Sequence, residues 1–368
     1  MPAAAVAPPA EPFDDVRRIV VLRGGALGDL VLALPGITAL RAAYPHAHLT
    51  VLGAPAHRVL LAGRGLVDDV VVLPRVAGVS GDRTDEAAVE AVLGGLRGTP
   101  IDLAVQLHGG GRNANPFLLR LGARHTVGTA TPDAAPLERT LHYDYFQHEV
   151  LRWLEVAGLA GAAPADLEPV LPVSAAERAA GKALLGDGPV VVLHPGATDP
   201  RRHWPVDRFG AVAAALARDG VRVAVVGDGS EAALADRVVA AAVAAAVAGG
   251  VPEDRVGSIA GRLDLPGLLG VLAAADVVLA NDSGPRHLAQ AVGARTAGIF
   301  VFGNTINAMP FGRARHRIRL GRITRCPVCG RDATQVGWTA ARCEHDPSYV
   351  ADVPVEDVLE DVRALLGR

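Results

Sequence analysis

The chain has 368 residues, more than one ordinary domain needs and enough for two that each bury a core. Its 36 basic residues against 39 acidic ones leave a formal charge of −3, which excludes the strong cationic field of a dedicated nucleic-acid binder and favours small-molecule chemistry. Lys182 is the only lysine, so a cation in an active site is expected to be arginine, whose planar fork grips phosphate oxygens bidentately.

In chain order, residues 1–16 begin MPAAAVAPPAEPFDD and lack the basic and continuous apolar regions of a signal peptide; they are expected to form a disordered tail. Short β-branched runs then alternate with helical stretches: Ile19 to Leu22, Leu49 to Leu52, Val70 to Leu73 and Leu103 to Leu107. A mostly helical and looped region follows from Leu141 to Ala180, with the acidic, proline-bearing DLEPVLPVS at Asp166 to Ser174 as linker. The alternation resumes with Val190 to Leu193, Val223 to Val226, Val277 to Leu279 and Ala297 to Phe302. This is the pattern of parallel βαβ units, and it predicts an α/β protein of two Rossmann-like domains, 17–172 and 173–352, facing a central cleft. The last segment, 353–368, spaces Val355, Val358, Leu359, Val362 and Leu365 for a one-faced helix expected to pack back across the domains.

The longest apolar run, Val238 to Val247, is too short and alanine-rich to span a bilayer, so a cytoplasmic protein is expected, with at most peripheral contact at the inner face of the membrane.

Chemistry concentrates in three turns of the second half. The run ADVVLANDSGPRHLAQAVG places a strand, a small-residue turn and a helix start in succession. Ser283, Gly284 and Pro285 would turn backbone N–H groups at that helix start toward an anion, with a diphosphate as the natural occupant. Asp282 or Ser283 could equally serve as a helix cap and nothing more. A second turn, HPGATDPRRHWP, follows the apolar strand ending at Leu193. The third, GDGSE, ends in Glu231, which either accepts from ribose hydroxyls or complements the dipole of the helix it opens.

With GGALGDLVLALPGITALRAAYPHAHLTVL at Gly24 to Leu52, these motifs in this order resemble glycosyltransferase family nine, the heptosyltransferases, over nearly the whole chain. The resemblance implies the GT-B architecture and inverting transfer of a sugar, heptose in the first place, from an ADP-sugar donor to a glycan, glycolipid or small-molecule acceptor. By position it places the catalytic base at Asp29, whose other reading is an N-terminal cap of the following helix. Donor contacts fall on Thr198, Arg201, Arg202, Glu231, Asp282, Ser283, Gly284, Pro285 and His287. Arg202, or Arg201 beside it, stands where the family pattern most often has lysine, and either could balance the charge of the leaving diphosphate. On the acceptor side Arg23, His108, Arg112 and His148 lie near strand ends or loops of the first domain. The sequence contains no Asp-x-Asp pair to hold a metal on the donor diphosphate, so no catalytic metal is expected.

All three cysteines fall late: Cys326, Cys329 and Cys343, with His345, form a Cys3His set that is either a structural zinc site or a reduced thiol cluster. Two rival functions stand beside the transferase. A nicotinamide-dependent Rossmann oxidoreductase fits poorly, because RGGALGD lacks the GxGxxG spacing. A non-catalytic nucleotide-sugar-binding protein would keep Glu231 and the anion turn but have no use for Asp29.

Overall fold

The computed structural model describes residues 9–164, 166–247, 255–334 and 340–368. The chain divides into two compact units, Met1–Leu171 and Pro172–Arg368. The first is built from β1 (Arg18–Leu22), α1 (Leu27–Ala43), β2 (His48–Gly53), α2 (Pro55–Leu61), β3 (Asp69–Val72), α3 (Glu86–Arg97), β4 (Leu103–Gln106), α4 (Ala114–Leu119), β5 (His125–Ala130), β6 (Arg139–His142) and α5 (Glu149–Leu159). Its strands pair in parallel in the order β3-β2-β1-β4-β5-β6.

The second unit runs α6 (Ala175–Leu185), β7 (Val190–His194), α7 (Val206–Arg218), β8 (Arg222–Val225), α8 (Ala232–Val247), β9 (Val256–Ser258), α9 (Leu265–Ala274), β10 (Val277–Asn281), α10 (Gly284–Ala291), β11 (Arg295–Phe300), α11 (Phe302–Ala308), β12 (His316–Leu320) and α12 (Val355–Leu366). Its sheet, β12-β11-β10-β7-β8-β9, is also parallel throughout and repeats the strand order of the first. In each sheet the order reverses between the first strand and the fourth, β1 and β4 in one unit, β7 and β10 in the other. A crevice opens outside the carboxyl ends of such a pair, so the fold itself marks where a ligand would lie.

The central strands are apolar on both faces because helices cover both: β7 and β10 are buried along their whole length. Helix α1 is likewise buried without interruption from Leu30 to Ile37, as a helix between a sheet and α5 must be. Two expectations are corrected. Residues 9–16 of the expected disordered tail are docked on the first unit, the remainder lying outside the described residues. Phe13 is buried, stacked on His125 at 4.1 Å with the Arg139 guanidinium 3.8 Å from its ring centre, and Ala10 donates to the Gly158 carbonyl at 2.9 Å. One aromatic ring with a planar cation against it is enough to hold a short segment that composition alone reads as unstructured. The apolar face of α12, expected to pack across the domains, is used inside the second unit: Val358, Val362 and Leu365 enter its core against α7, β10 and β11.

Candidate active site

In the second unit, three consecutive residues at the end of β10 each hold a different piece of chain. Asn281 accepts from the Trp204 backbone N–H at 3.1 Å and donates to the Pro195 carbonyl at 2.6 Å, fastening the turn that follows β7. Asp282 accepts from His287 Nε2 at 3.1 Å and Asn304 Nδ2 at 2.5 Å, and faces Arg202 Nη1 at 3.5 Å. Burial would raise this carboxyl; the His287 hydrogen bond and the Arg202 guanidinium overcome it and hold Asp282 well below the carboxylate range. Asp282 and His287 are both buried, so they support the turn after β10 from within. Ser283 opens α10 without capping it, its hydroxyl lying 3.0 Å from His194 Nδ1 instead. Gly284 and Pro285 form the first turn of α10 and are half-buried.

His194, at the end of β7, joins two turns. Its Nε2 lies 3.1 Å from the Glu231 carboxylate, which also accepts from the Asp228 N–H at 3.0 Å. The His194 contact holds Glu231 below its ordinary value against the effect of burial. A carboxylate can only accept, so Nε2 carries the proton, and in the neutral ring Nδ1 takes the hydrogen bond from the Ser283 hydroxyl. The backbone comes so close here that a Cβ on Gly196 would fall 1.7 Å from Glu231 Oε1. Of the two arginines in RRHW, Arg201 is folded onto Asp199, donating through Nε at 2.8 and 3.0 Å, while Arg202 faces the β10 turn and stays one-third exposed. Thr198 is exposed beside them.

In the first unit the turn after β1 is shaped by Gly25, whose φ of +91° no side chain tolerates easily. Asp29, in the first turn of α1, accepts from the Ala26 N–H at 2.8 Å and lies 3.4 Å from Arg23 Nη2. Its carboxylate is still 48% exposed. The cap uses one of about four lone-pair directions and orients the rest, so capping and proton acceptance are compatible in one side chain. Arg23 is buried with its guanidinium committed, donating to the Asp29 and Leu107 carbonyls at 2.9 and 2.8 Å and lying 5.2 Å from the Trp153 ring centre. It braces the turn. His108 reaches the Gly78 carbonyl at 3.3 Å through Nε2, and burial together with Arg23 lowers its pKa.

Of the other two residues expected on the acceptor side, one has a structural duty and one lies in a surface pair. His148 caps α5, accepting from the Val150 N–H at 3.2 Å, and Arg112 is 74% exposed, 3.4 Å from Asp133. Three residues around Asp29 and the β10 turn escaped the sequence reading. His57 is fully buried near Arg23 and Asp29 and lowered to about 4 by desolvation. Glu149 is raised by burial near the same pair. Asn304 sits on α11, where its only signal was a polar side chain soon after a strand end.

The Cys3His set assembles: ligand atoms of Cys326, Cys329, Cys343 and His345 all lie within 4.8 Å of one another. Burial would raise the Cys343 thiol, but the His345 and Asp346 N–H groups aimed at it prevail and bring it down to about 6. Four soft or borderline donors at this spacing, one already disposed to ionise, fit a tetrahedral thiophilic metal ion. Among the described residues, no helix is long and apolar enough to cross a membrane.

Residues 91–329 match the family model described as glycosyltransferase family 9 (heptosyltransferase). Comparison with curated protein sequences gives no match. Among solved structures, a family 9 glycosyl transferase from Veillonella parvula is 18% identical, with a TM-score of 0.77 over 97% of this chain and 99% of that one. The E. coli ADP-heptose lps heptosyltransferase II is 20% identical, with a TM-score of 0.71 over 95% and 98%. The iron-containing dodecameric glycosyltransferase TibC of enterotoxigenic E. coli is 14% identical, with a TM-score of 0.56 over 96% and 77%. These likenesses identify the fold as GT-B type.

Proposed function

The chain belongs to glycosyltransferase family 9 and is a glycosyltransferase, and from that premise we propose that it moves heptose from an ADP-sugar to a hydroxyl of a glycan, glycolipid or small-molecule acceptor, inverting the anomeric carbon. The observation that carries this reading is the convergence, at the carboxyl ends of β7, β8 and β10, of one cation left one-third exposed, one hydrogen-bonded carboxylate and a helix start with no side-chain cap. Each suits a different part of a nucleoside diphosphate. Glu231, oriented by His194, accepts from the ribose hydroxyls; Ser283, Gly284 and Pro285 cradle the diphosphate; Arg202, with Thr198 beside it, neutralises the charge that grows as ADP leaves. The name of the E. coli relative, an ADP-heptose heptosyltransferase, supports adenine and heptose as the donor halves.

Asp29 takes the proton of the acceptor hydroxyl as its oxygen forms a bond to the anomeric carbon. The bond from that carbon to the diphosphate oxygen breaks, and its electron pair leaves with ADP. Arg23 holds the turn that carries Asp29, and His108 lines the same strand ends. The transfer needs no metal on the diphosphate. The Cys3His set would hold a structural Zn²⁺, tying down a loop and supplying no step of the chemistry. The enzyme works in the cytoplasm, touching the membrane at most peripherally where its acceptor is a lipid.

Calorimetric titration with ADP, UDP, GDP and NAD, with and without Mg²⁺, tests this. The expected result is a preference for ADP that Mg²⁺ does not change. Preference for UDP or GDP would overturn the donor assignment, and binding of NAD alone would overturn the whole reading.

A further inference from the structure

We infer that the metal clip is the anchor that fixes Arg202, so that occupancy of the Cys3His set governs how tightly the donor diphosphate is held. The inference rests on the reading just proposed, in which Arg202 meets the donor and the four ligands hold a metal. Its own basis is a set of contacts that the transfer mechanism does not use.

Arg202 lies in a single 3-10 turn, Pro200–Arg202, and both backbone carbonyls flanking its own are held by one short segment just past His345. The Tyr349 N–H donates to the Arg201 carbonyl at 2.8 Å, and the Ser348 hydroxyl donates to the His203 carbonyl at 2.7 Å. Side chains add a second layer. Asp346 accepts from Arg342 Nε at 2.9 Å and lies 3.9 Å from Arg201 Nε, while Arg342 Nη2 lies 3.9 Å from Asp199, the residue that caps the same turn. Cys343 Sγ and the Tyr349 hydroxyl are 3.8 Å apart, so a ligand of the clip touches the residue that pins Arg201.

What holds this segment in place is the second half of the argument. Between β12 and α12 the described residues contain no helix or strand, only isolated bridge residues such as Arg325 and Asp332. Fixing each backbone residue costs roughly 1–2 kcal/mol of conformational entropy, and a long irregular run inside a compact unit needs a cross-link to stay ordered. The Cys326–Cys329 turn, closed by Gly330 N–H to the Cys326 carbonyl at 2.8 Å, is one jaw of that cross-link; Cys343 and His345 are the other. With metal bound, the 342–349 segment is tethered at one end by the clip and at the other by Tyr349, Val350 and Val353 buried in the second unit, and Arg202 inherits a fixed backbone. Without it, the stretch leading to the buried Tyr349 and Val350 loses its outer tether, and the guanidinium loses part of its aim without losing its charge.

The test uses the full chain. Zinc and iron per chain are counted by elemental mass spectrometry, and ADP is titrated calorimetrically into zinc-loaded protein, chelator-stripped protein and stripped protein given back Zn²⁺. The expected result is one metal per chain, an ADP affinity that falls about tenfold on stripping, the worth of one well-aimed charge-assisted hydrogen bond, and recovery when Zn²⁺ returns. Ser348→Ala, read in the zinc-loaded state, guards against a stripped chain that merely unfolds: it should keep its metal and its circular dichroism yet lose severalfold in ADP affinity. Equal ADP affinity in loaded and stripped protein, or in wild type and folded Ser348→Ala, overturns the coupling alone. A chain that binds no metal overturns the clip, and a loaded chain that binds no ADP overturns the donor reading beneath both.

Discussion

Gly196→Ala sets two opposing effects of known size against each other. The backbone at Gly196 is not in the left-handed region, so alanine there should stiffen the unfolded chain and stabilise the protein by about 0.4–1 kcal/mol if nothing stood in the way. Glu231 stands in the way. The new Cβ would lie 1.7 Å from Oε1 and 2.5 Å from Cδ, where real Cβ contacts stay beyond 3.0 Å, so Oε1 must retreat by at least 1.3 Å, the difference between 1.7 and 3.0, and the carboxyl carbon with it. The bonds from His194 and from the Asp228 N–H land on Oε2, itself 3.3 Å from the new Cβ, and moving the carboxyl carbon pulls that oxygen off both donors. Both have an ionised acceptor, so losing them costs about 1.5–3 kcal/mol each. The net expectation is a loss of about 2–5 kcal/mol in urea unfolding and, because the displaced carboxylate no longer meets the ribose, a roughly 10- to 100-fold weaker ADP titration. Gly229→Ala, in the adjoining turn with nothing within 4 Å of its Cβ, is the control and should change neither by much. If Gly196→Ala instead binds ADP normally and gains stability, the placement of Glu231 against this turn is wrong.

Other perturbations separate roles that the sequence leaves merged. Asp29→Asn keeps an oxygen to accept from the Ala26 N–H, so folding and ADP binding should survive while turnover falls about 10²- to 10⁴-fold; equal losses in ADP affinity and stability would mean that Asp29 serves the helix alone. Asp282→Ala strips one acceptor from His287, Asn304 and Arg202 and should cost about 3–5 kcal/mol in denaturant unfolding. Because the folded-state pKa of Asp282 is depressed, its stabilisation is complete above the ordinary 3.8 and is lost as pH falls below that value. His57 behaves in the opposite sense to a salt-bridged histidine. Desolvation lowers it from 6.5 to about 4, so as pH falls through that window the unfolded chain takes the proton first and up to about 3 kcal/mol of stability is lost. His57→Gln should flatten the dependence of the urea midpoint on pH between 7 and 4.

Most inner strands were legible because burial on both faces writes itself as uninterrupted Val, Leu and Ile, as in Val190 to Leu193; β5, HTVGTA, lies inside the first sheet and was not, because threonine and glycine interrupt its apolar run. Neither were β6 and β12, since RTLH and HRIRL sit at sheet edges where most of their residues are only partly buried, His316 being the exception, and β9 is too short to carry a pattern. The turns of the candidate site announced themselves through glycine, proline and small polar residues after a strand. What those residues touch did not. His194 bridges Glu231 and Ser283 only because two crossovers lay β8 and β10 on either side of β7, and no spacing along the chain encodes that. His148 looked like an acceptor contact because a histidine after a loop is chemically open-ended; its use as a cap depends on a backbone angle that composition does not fix.

The three residues closing β10 also set an order of events in folding. Asn281 reaches Trp204 and Pro195 across 77 and 86 positions, and Ser283 reaches His194 across 89, so no loop of the donor side can settle until β10 has inserted beside β7. Closing such long stretches costs entropy before any contact repays it. The β7 turn, with its arginines and glycine, is therefore a late arrival despite being synthesised early. A fragment ending before Val277 would contain Arg202, His194 and Glu231 and still have no site, and a one-residue slip of β10 in the sheet would disconnect all three loops at once.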